Sequence, residues 1–261
     1  LALRFAGVDC TKEPIPVQPT AHYTMGGIPS NRFGEVVSRK GDDVEAPVPG
    51  LYAIGEAACA SVHGANRLGC NSLLEIIVFG RACGNQVMRR LKEHRYHPSL
   101  APDCWQKGVA RVEGWLDSAG KRKGPRIADV RLRMQTIMQD HVSVYRTHDV
   151  MSEGVERLEK LFAELPDAAI SDGNRIFNTE LIEAMELENL MSLSRVAAAG
   201  ALARTETRGA HARDDYPKRD DKAWLKHTLA AIDDGKVQLS YKPVRMKPMT
   251  VESFPPKERV Y

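Results

Sequence analysis

The sequence predicts a chain of mixed class, α/β plus all-α: an α/β segment, a helical bundle, and a small α+β end. Three observations carry this. From Leu51 to Gly80 a short apolar strand, a polar loop and an apolar helix follow one another. Beyond Pro98 and Pro102 apolar residues recur at helical spacing through four stretches. After Thr205 the chain turns polar, and two strand-like runs flank Asp233-Asp234-Gly235. The divisions expected are residues 1–21, 22–97, 98–204 and 205–261.

In the first segment, Pro14, Pro16 and Pro19 alternate with Ile15, Val17 and Thr20, which favours an extended path over a helix. Gly26-Gly27 permits a tight turn or a close backbone approach. Asn31-Arg32-Phe33-Gly34 before Glu35-Val36-Val37 reads as a hairpin turn and strand. Pro47-Val48-Pro49-Gly50 reads as a turn, and Leu51–Ile54 as a buried strand stopped by Gly55. Ser72-Leu73-Leu74-Glu75 matches a capping box, with Ser72 as the cap. The helix that follows is apolar in its first half, as for a helix sunk into a core, and fades into Arg89-Arg90-Leu91-Lys92.

The bundle follows from four stripes. Trp105, Val109, Val112 and Leu116 share one helix face. Gly120–Pro125 is a basic turn. Val130, Met134, Ile137, Met138 and Val142 give a second stripe within residues 129–146, and Val155, Leu158, Leu161, Phe162 and Leu165 a third, ended by Pro166. Asn178 or Thr179 caps a fourth, long helix bearing Leu181, Met185, Leu190, Leu193, Val196 and Ala197. Short links between such helices argue for a bundle, with methionines as core fillers. Trp224–Thr228 and Val237–Tyr241 read as two strands, and Phe254–Arg259 as an extended tail.

Composition narrows the function. With 43% hydrophobic and 27% charged residues, the chain has the profile of a globular protein. A net charge of +3, with no basic run longer than Lys121-Arg122-Lys123, argues against nucleic acid. No apolar stretch approaches the roughly 20 residues of a membrane helix. The start, Leu1-Ala2-Leu3-Arg4, is no signal peptide and lacks an initiator Met, so the chain is expected to begin inside a longer protein. The five cysteines, at 10, 59, 70, 83 and 104, have neither Cys-x-x-Cys spacing nor an iron–sulfur or zinc pattern, which predicts free thiols.

Three features carry potential chemistry. Glu56, after Gly55 at a strand end, either closes that strand or accepts hydrogen bonds from the hydroxyls of a nucleotide or ribityl chain. His22 and Arg67 either find partners within the fold or hold a carboxylate, the planar guanidinium matching its two oxygens. The helix start at Asn71-Ser72-Leu73 is either an ordinary cap or a site where free N–H groups meet negative charge.

Four stretches resemble one family in its own order. They are Pro19–Pro29 (Pro-Thr-Ala-His-Tyr-Thr-Met-Gly-Gly-Ile-Pro), Gly55–Leu74, with His63-Gly64-Ala65-Asn66-Arg67-Leu68-Gly69 at its centre, Thr205–Arg213, and the ending Phe254–Tyr261. Together they are similar to the succinate dehydrogenase/fumarate reductase flavoprotein family, on its succinate dehydrogenase side. The resemblance implies an FAD-dependent oxidation of succinate to fumarate. It assigns His22 and Arg67 to the substrate carboxylate, and Glu56, Asn71, Ser72 and Leu73 to FAD. It implies an iron–sulfur partner subunit that passes electrons through membrane anchor subunits to quinone. The implied location is peripheral, on the cytoplasmic face of the bacterial inner membrane or the matrix face of the mitochondrial one. Residues 1–21 would end a capping domain, 22–97 would close the FAD-binding domain, 98–204 would be the helical domain and 205–261 the small C-terminal domain.

The departures also carry information. A dinucleotide-binding strand should lead into Gly-x-Gly-x-x-Gly, and no Gly-x-Gly occurs. The family's flavin-linking His, its proton-accepting Arg and a second substrate-binding His and Thr have no counterpart here, and in the family all precede the Pro19–Pro29 motif. Cys70 replaces the Ala or Gly expected before Asn71. The resemblance therefore implies a C-terminal portion that carries no catalytic proton acceptor, needs no metal of its own, and is inactive alone. Two other readings remain: a fumarate reductase or L-aspartate oxidase type of flavoenzyme, or a non-catalytic helical module in which residues 103–204 dock a partner.

Overall fold

The computed structural model describes residues 1–16, 22–96, 99–121 and 124–255. Val17–Ala21, Pro98, Arg122, Lys123 and the tail from Pro256, all used in the sequence reading, lie outside the described residues. The chain forms two compact units, Leu1–Arg95 and Tyr96–Tyr261.

The first unit opens on a single helical turn, α1 (Ala2–Phe5), ahead of the proline-rich stretch, whose described residues Pro14–Pro16 form no helix. Two short strands, β1 (Ile28–Pro29) and β4 (Ala58–Cys59), pair in parallel. Between them β2 (Glu35–Lys40) and β3 (Asp43–Tyr52) form an antiparallel hairpin. The turn before β2 forms as its sequence requires. The Asn31 side-chain carbonyl accepts from the Phe33 and Glu35 N–H groups at 2.9 and 3.1 Å, which closes an Asx-type turn.

Pro47–Gly50 is not a turn but part of β3. Val37 pairs with Pro47 and Glu35 with Tyr52, so the Pro/Gly stretch is absorbed as a bulge in the ladder. Nor is Leu51–Ile54 a buried strand: β3 ends at Tyr52, and Leu51 is 52% exposed. A 3-10 turn, Gly55–Ala57, then leads into β4.

Helix α2 (Asn71–Glu93) differs from expectation at its start. Cys70, not Ser72, is the N-cap, in the left-handed conformation at φ +66° and without a side-chain cap bond. Ser72 lies inside the first turn. The capping-box pattern fails because the Glu75 carboxylate is engaged by Tyr23 and His63 instead of reaching back to the cap. The side turned inward runs through Glu75, Phe79, Cys83 and Gln86, and Gln86 donates to the buried Glu35 carboxylate at 2.8 Å. The expected sinking of the apolar first half does not occur within this unit: Leu73, Leu74, Ile76, Ile77 and Val78 are exposed.

The second unit is a bundle of α3 (Gln106–Ser118), α4 (Ile127–His141), α5 (His148–Glu164) and α6 (Thr179–Ala203). Its core joins Trp115, Val130, Met134, Leu158, Leu161, Leu187 and Met191. Two stripes sit rotated from expectation. On α3, Trp115 is buried while Trp105 and Val109 are exposed, because the Trp115 indole N–H reaches Glu188 on α6 at 2.7 Å. On α6 the inward face is Ala184, Leu187, Met191 and Ala198, and Leu193 is 65% exposed. With the buried Ser194 included, the spacing alternates three and four, and Leu181 and Met185 from the predicted stripe pack partly buried against this core.

The chain ends in α7 (Asp221–Trp224) and a hairpin of β5 (Lys226–Asp233) and β6 (Lys236–Pro243). Trp224 thus belongs to a helical turn, not a strand. Asp234 and Gly235, at φ +45° and +71°, form the two-residue hairpin loop between the paired Asp233 and Lys236. Arg195 ties the hairpin to the bundle: it is buried, forks onto Glu159 at 2.7 Å twice, and donates to the Gly235 carbonyl at 2.6 Å.

The charged motif Thr205–Arg213 turns inward on itself. Glu206, fully buried, accepts from Arg204, Arg208 and the Asp220 N–H. Arg213, also buried, forks onto Asp215 at 2.7 and 2.6 Å. All five cysteines are free. Among the described residues no helix is long and apolar enough to cross a membrane, and no cluster of His, Cys, Asp and Glu could hold a metal ion.

Candidate functional site

The residues with chemical potential in the first unit come from three places: the segment before β1, the loop between β4 and α2, and the first turns of α2. Glu56 sits in the 3-10 turn that packs against α2, exposed, with one carboxylate oxygen accepting the Thr24 N–H at 3.3 Å. Gly27 makes this approach possible. Its φ is +132°, and a β-carbon there would lie 2.7 Å from the Ala57 carbonyl oxygen. The segment from His22 to Ile28 therefore runs directly over the Glu56 turn.

Asn71, Ser72 and Leu73 form the first turn of α2, whose N-cap supplies no side-chain acceptor. The Asn71 and Leu73 N–H groups donate to the Leu68 and Cys70 carbonyls at 3.3 and 3.2 Å, so the start of this 23-residue helix offers the Ser72 N–H and the positive end of its dipole. Asn71 and Ser72 are half-buried, and Leu73 is exposed.

Arg67 is held in an unusual way. Its guanidinium carbon lies 4.3 Å from the centre of the Tyr23 ring, a cation–π contact. Its Nε is buried and has no hydrogen-bond partner among the described residues. No carboxylate among the described residues comes within ion-pair distance of it. His22 is exposed, and no hydrogen bond joins it to Arg67. The two are linked through Tyr23, which follows His22 in the chain and carries Arg67 on its ring.

Three residues of this neighbourhood were not singled out as functional from the sequence. Tyr23 meets His63 edge-on, with ring centres 5.9 Å apart at 88°. His63 Nε2 lies 2.6 Å from a Glu75 carboxylate oxygen, and the Tyr23 hydroxyl donates to that oxygen at 3.5 Å. Burial, reinforced by the charge on Glu75, holds the Tyr23 hydroxyl above its ordinary pKa. His63 Nδ1 is buried without a partner among the described residues. The available signals were adjacency, Tyr23 beside His22 and His63 four residues before Arg67. Glu75 was masked by its fit to a capping box.

Arg67 and the uncapped α2 start both favour anions, and Glu56 accepts from hydroxyls or amides. These are the donor and acceptor types that a flavin's pyrimidine edge and ribityl chain require. The orphaned Arg67 Nε and the close passage at Gly27 fit a site built around a ligand.

A family model described as fumarate reductase flavoprotein C-term matches residues 131–261, and one described as FAD binding domain matches residues 1–73. The mitochondrial succinate dehydrogenase [ubiquinone] flavoprotein subunit of Oryza sativa subsp. japonica is 51% identical over 260 residues, covering 98% of this chain and 41% of the relative. The succinate dehydrogenase flavoprotein subunit of Rickettsia bellii is 46% identical over 260 residues, covering 98% of this chain and 43% of the relative. A solved structure of a variant of E. coli quinol fumarate reductase superposes with a TM-score of 0.79 at 37% identity, over 97% of this chain and 41% of that one. The chain therefore spans about four tenths of the length of the curated relatives it matches, 41% and 43% in these two.

Proposed function

The chain belongs to the succinate dehydrogenase/fumarate reductase flavoprotein family, and from that premise we propose that it forms the C-terminal part of the flavoprotein subunit of a succinate dehydrogenase. Its first unit contributes one wall of the site where succinate is oxidised. The observation that carries this reading is Arg67, poised over Tyr23 with a buried Nε that no described residue satisfies. A dicarboxylate supplies the missing acceptor: the guanidinium fork binds one carboxylate, and the exposed His22 adds a further donor.

Glu56 would hold FAD by accepting from its hydroxyls, and the α2 start at Asn71, Ser72 and Leu73 would favour its negative charge through the helix dipole and the Ser72 N–H. Bound there, FAD supplies the two-electron acceptor for the hydride that leaves succinate. Arg67 and His22 fix the substrate's orientation, so that one C–H bond is presented and the reacting carbons do not rotate away. The proton-accepting arginine is proposed to lie outside these residues. Four functional divisions of the chain are proposed, at residues 1–21, 22–97, 98–204 and 205–261.

An iron–sulfur subunit, and through it membrane anchor subunits and a quinone, are the proposed electron-accepting partners. The absence of any cluster-binding spacing among the five cysteines supports a relay outside this chain. The protein would then lie peripherally on the inner membrane, on its cytoplasmic or matrix face. Identity is higher to the rice and Rickettsia succinate dehydrogenase subunits, 51% and 46%, than to the fumarate reductase structure, 37%, and this favours succinate oxidation over the reverse reaction.

The test is the Arg67→Lys substitution in the assembled enzyme. A lone ammonium cannot reproduce the fork, so KM for succinate should rise at least about tenfold, a loss near 1.4 kcal/mol, while FAD content stays at one per subunit. Unchanged kinetics would remove Arg67 from the site. Relative rates with succinate, fumarate and aspartate on the same preparation decide among the family's activities.

A further inference from the structure

Glu75 has no role in the reading above. It does not cap its helix, yet it is a carboxylate only 4% exposed. Burying a carboxylate costs several kcal/mol unless donors compensate it. Its donors are the His63 ring at 2.6 Å and the Tyr23 hydroxyl at 3.5 Å. With Glu75 ionised, Nε2 of His63 must carry the proton, because a carboxylate only accepts.

These contacts fix Tyr23 on three sides. Glu75 takes its hydroxyl, His63 meets its edge, and Arg67 lies on its face. Among the described residues no hydrogen bond is made to Arg67 Nε, so the ring face is the contact that sets the guanidinium plane. His22 precedes Tyr23 in the chain, so anchoring Tyr23 also fixes the backbone from which His22 projects.

We infer that Glu75 is a positioning residue for the dicarboxylate site, acting through His63 and Tyr23 to hold Arg67 and His22 in register. This rests on the assignment of Arg67 and His22 to the substrate made above. Glu75 secures the platform on which the substrate-binding arginine lies.

The experiment is a set of substitutions in the assembled enzyme, read by succinate KM and kcat, by calorimetric binding of malonate (a dicarboxylate that cannot be oxidised), and by FAD content. Tyr23→Leu removes the platform and should weaken malonate and raise KM about 3- to 30-fold, the range of a lost cation–π contact, with kcat nearly unchanged. Tyr23→Phe keeps the ring but loses the hydroxyl's bond to Glu75, so it should recover only part of the loss. Glu75→Gln keeps the volume but removes the charge that holds His63 and Tyr23, and should shift KM and malonate affinity the same way at full FAD occupancy. A purely structural role would lower FAD content and kcat together, without this split or the rescue by phenylalanine.

Normal malonate affinity and KM in flavin-loaded Tyr23→Leu or Glu75→Gln would overturn the inference, and either variant suffices if the other fails to fold. Arg67→Lys serves as the control. If it too leaves malonate binding unchanged, the substrate assignment fails; if it weakens binding while the Tyr23 and Glu75 variants do not, only the positioning role fails.

Discussion

Gly27 passes so close to Ala57 that a β-carbon at Gly27 would lie 2.7 Å from the Ala57 carbonyl oxygen and 2.9 Å from the Ala58 carbonyl carbon. The neighbours are backbone and cannot swing aside. The φ of +132° is itself closed to L side chains without strain. Gly27→Ala should therefore push the His22–Pro29 segment off the Glu56 turn, breaking the Thr24–Glu56 bond and loosening the β1–β4 pair. The strain alone is about 1–3 kcal/mol. A fall in melting temperature of about 2–4 °C per kcal/mol is expected by thermal denaturation, with reduced FAD stoichiometry by absorbance in the assembled enzyme. Unaltered FAD content would detach this crossing from the cofactor site.

A second prediction concerns acid. Hydrogen bonds from the buried Arg213 guanidinium, aided by the His148 N–H, lower the Asp215 carboxyl from 3.8 to about 2. A carboxylate with a depressed folded-state pKa adds stability above its unfolded value and loses it as pH falls through the folded one. This contribution is therefore complete above about pH 4 and fades toward about pH 2. Asp215→Asn removes it and leaves Arg213 as a buried, underpaired cation, a cost of about 3–5 kcal/mol near neutrality. Urea unfolding should reveal that deficit at about pH 7 and a narrower gap at about pH 3.

Why some of this was legible in the sequence and some was not follows from which forces decide each feature. Helices α4 and α5 and the Asp234-Gly235 hairpin are dictated locally, by apolar period and by a turn that needs two positive φ values. Pro47–Gly50 looked like a turn because proline and glycine disfavour regular strands, but a bulge opposite Val37 absorbs both. Ser72 looked like a cap because Glu75 stands three residues on. The capture of that carboxylate by Tyr23 and His63, 52 and 12 residues away in sequence, is a tertiary event that no local pattern encodes. His22 and Arg67 were nameable by motif, while Tyr23, their physical link, emerged only with the fold.

The bundle core offers a direct test of packing. Leu187 is fully buried on α6, within the cluster that includes Val130, Leu158 and Leu161. Leu187→Ala should cost about 2–5 kcal/mol, part lost transfer energy and part cavity. Leu193→Ala, on the same helix but 65% exposed, should change stability by less than about 0.5 kcal/mol. Equal effects at the two positions, measured by urea denaturation, would contradict the assignment of the inward face.

Asn178 joins two structures at once, and substitution separates them. Its side-chain carbonyl accepts the Leu181 N–H at 2.8 Å, capping the 25-residue α6. Its amide donates to the Asp172 and Asn174 carbonyls at 2.7 and 2.9 Å, bracing the loop that leads into the helix. Asn178→Ala should lose both functions, at the upper end of the 0.5–2 kcal/mol typical of a cap, roughly 2 kcal/mol, because the two loop carbonyls lose their partner at a mostly buried site. Asn178→Asp keeps the acceptor and adds a negative charge at the helix start, but cannot donate to the loop. If the cap dominates, Asp recovers most of the melting temperature lost to Ala; if the brace dominates, Asp behaves like Ala. Recovery of about half is expected, since each function contributes on the order of 1 kcal/mol.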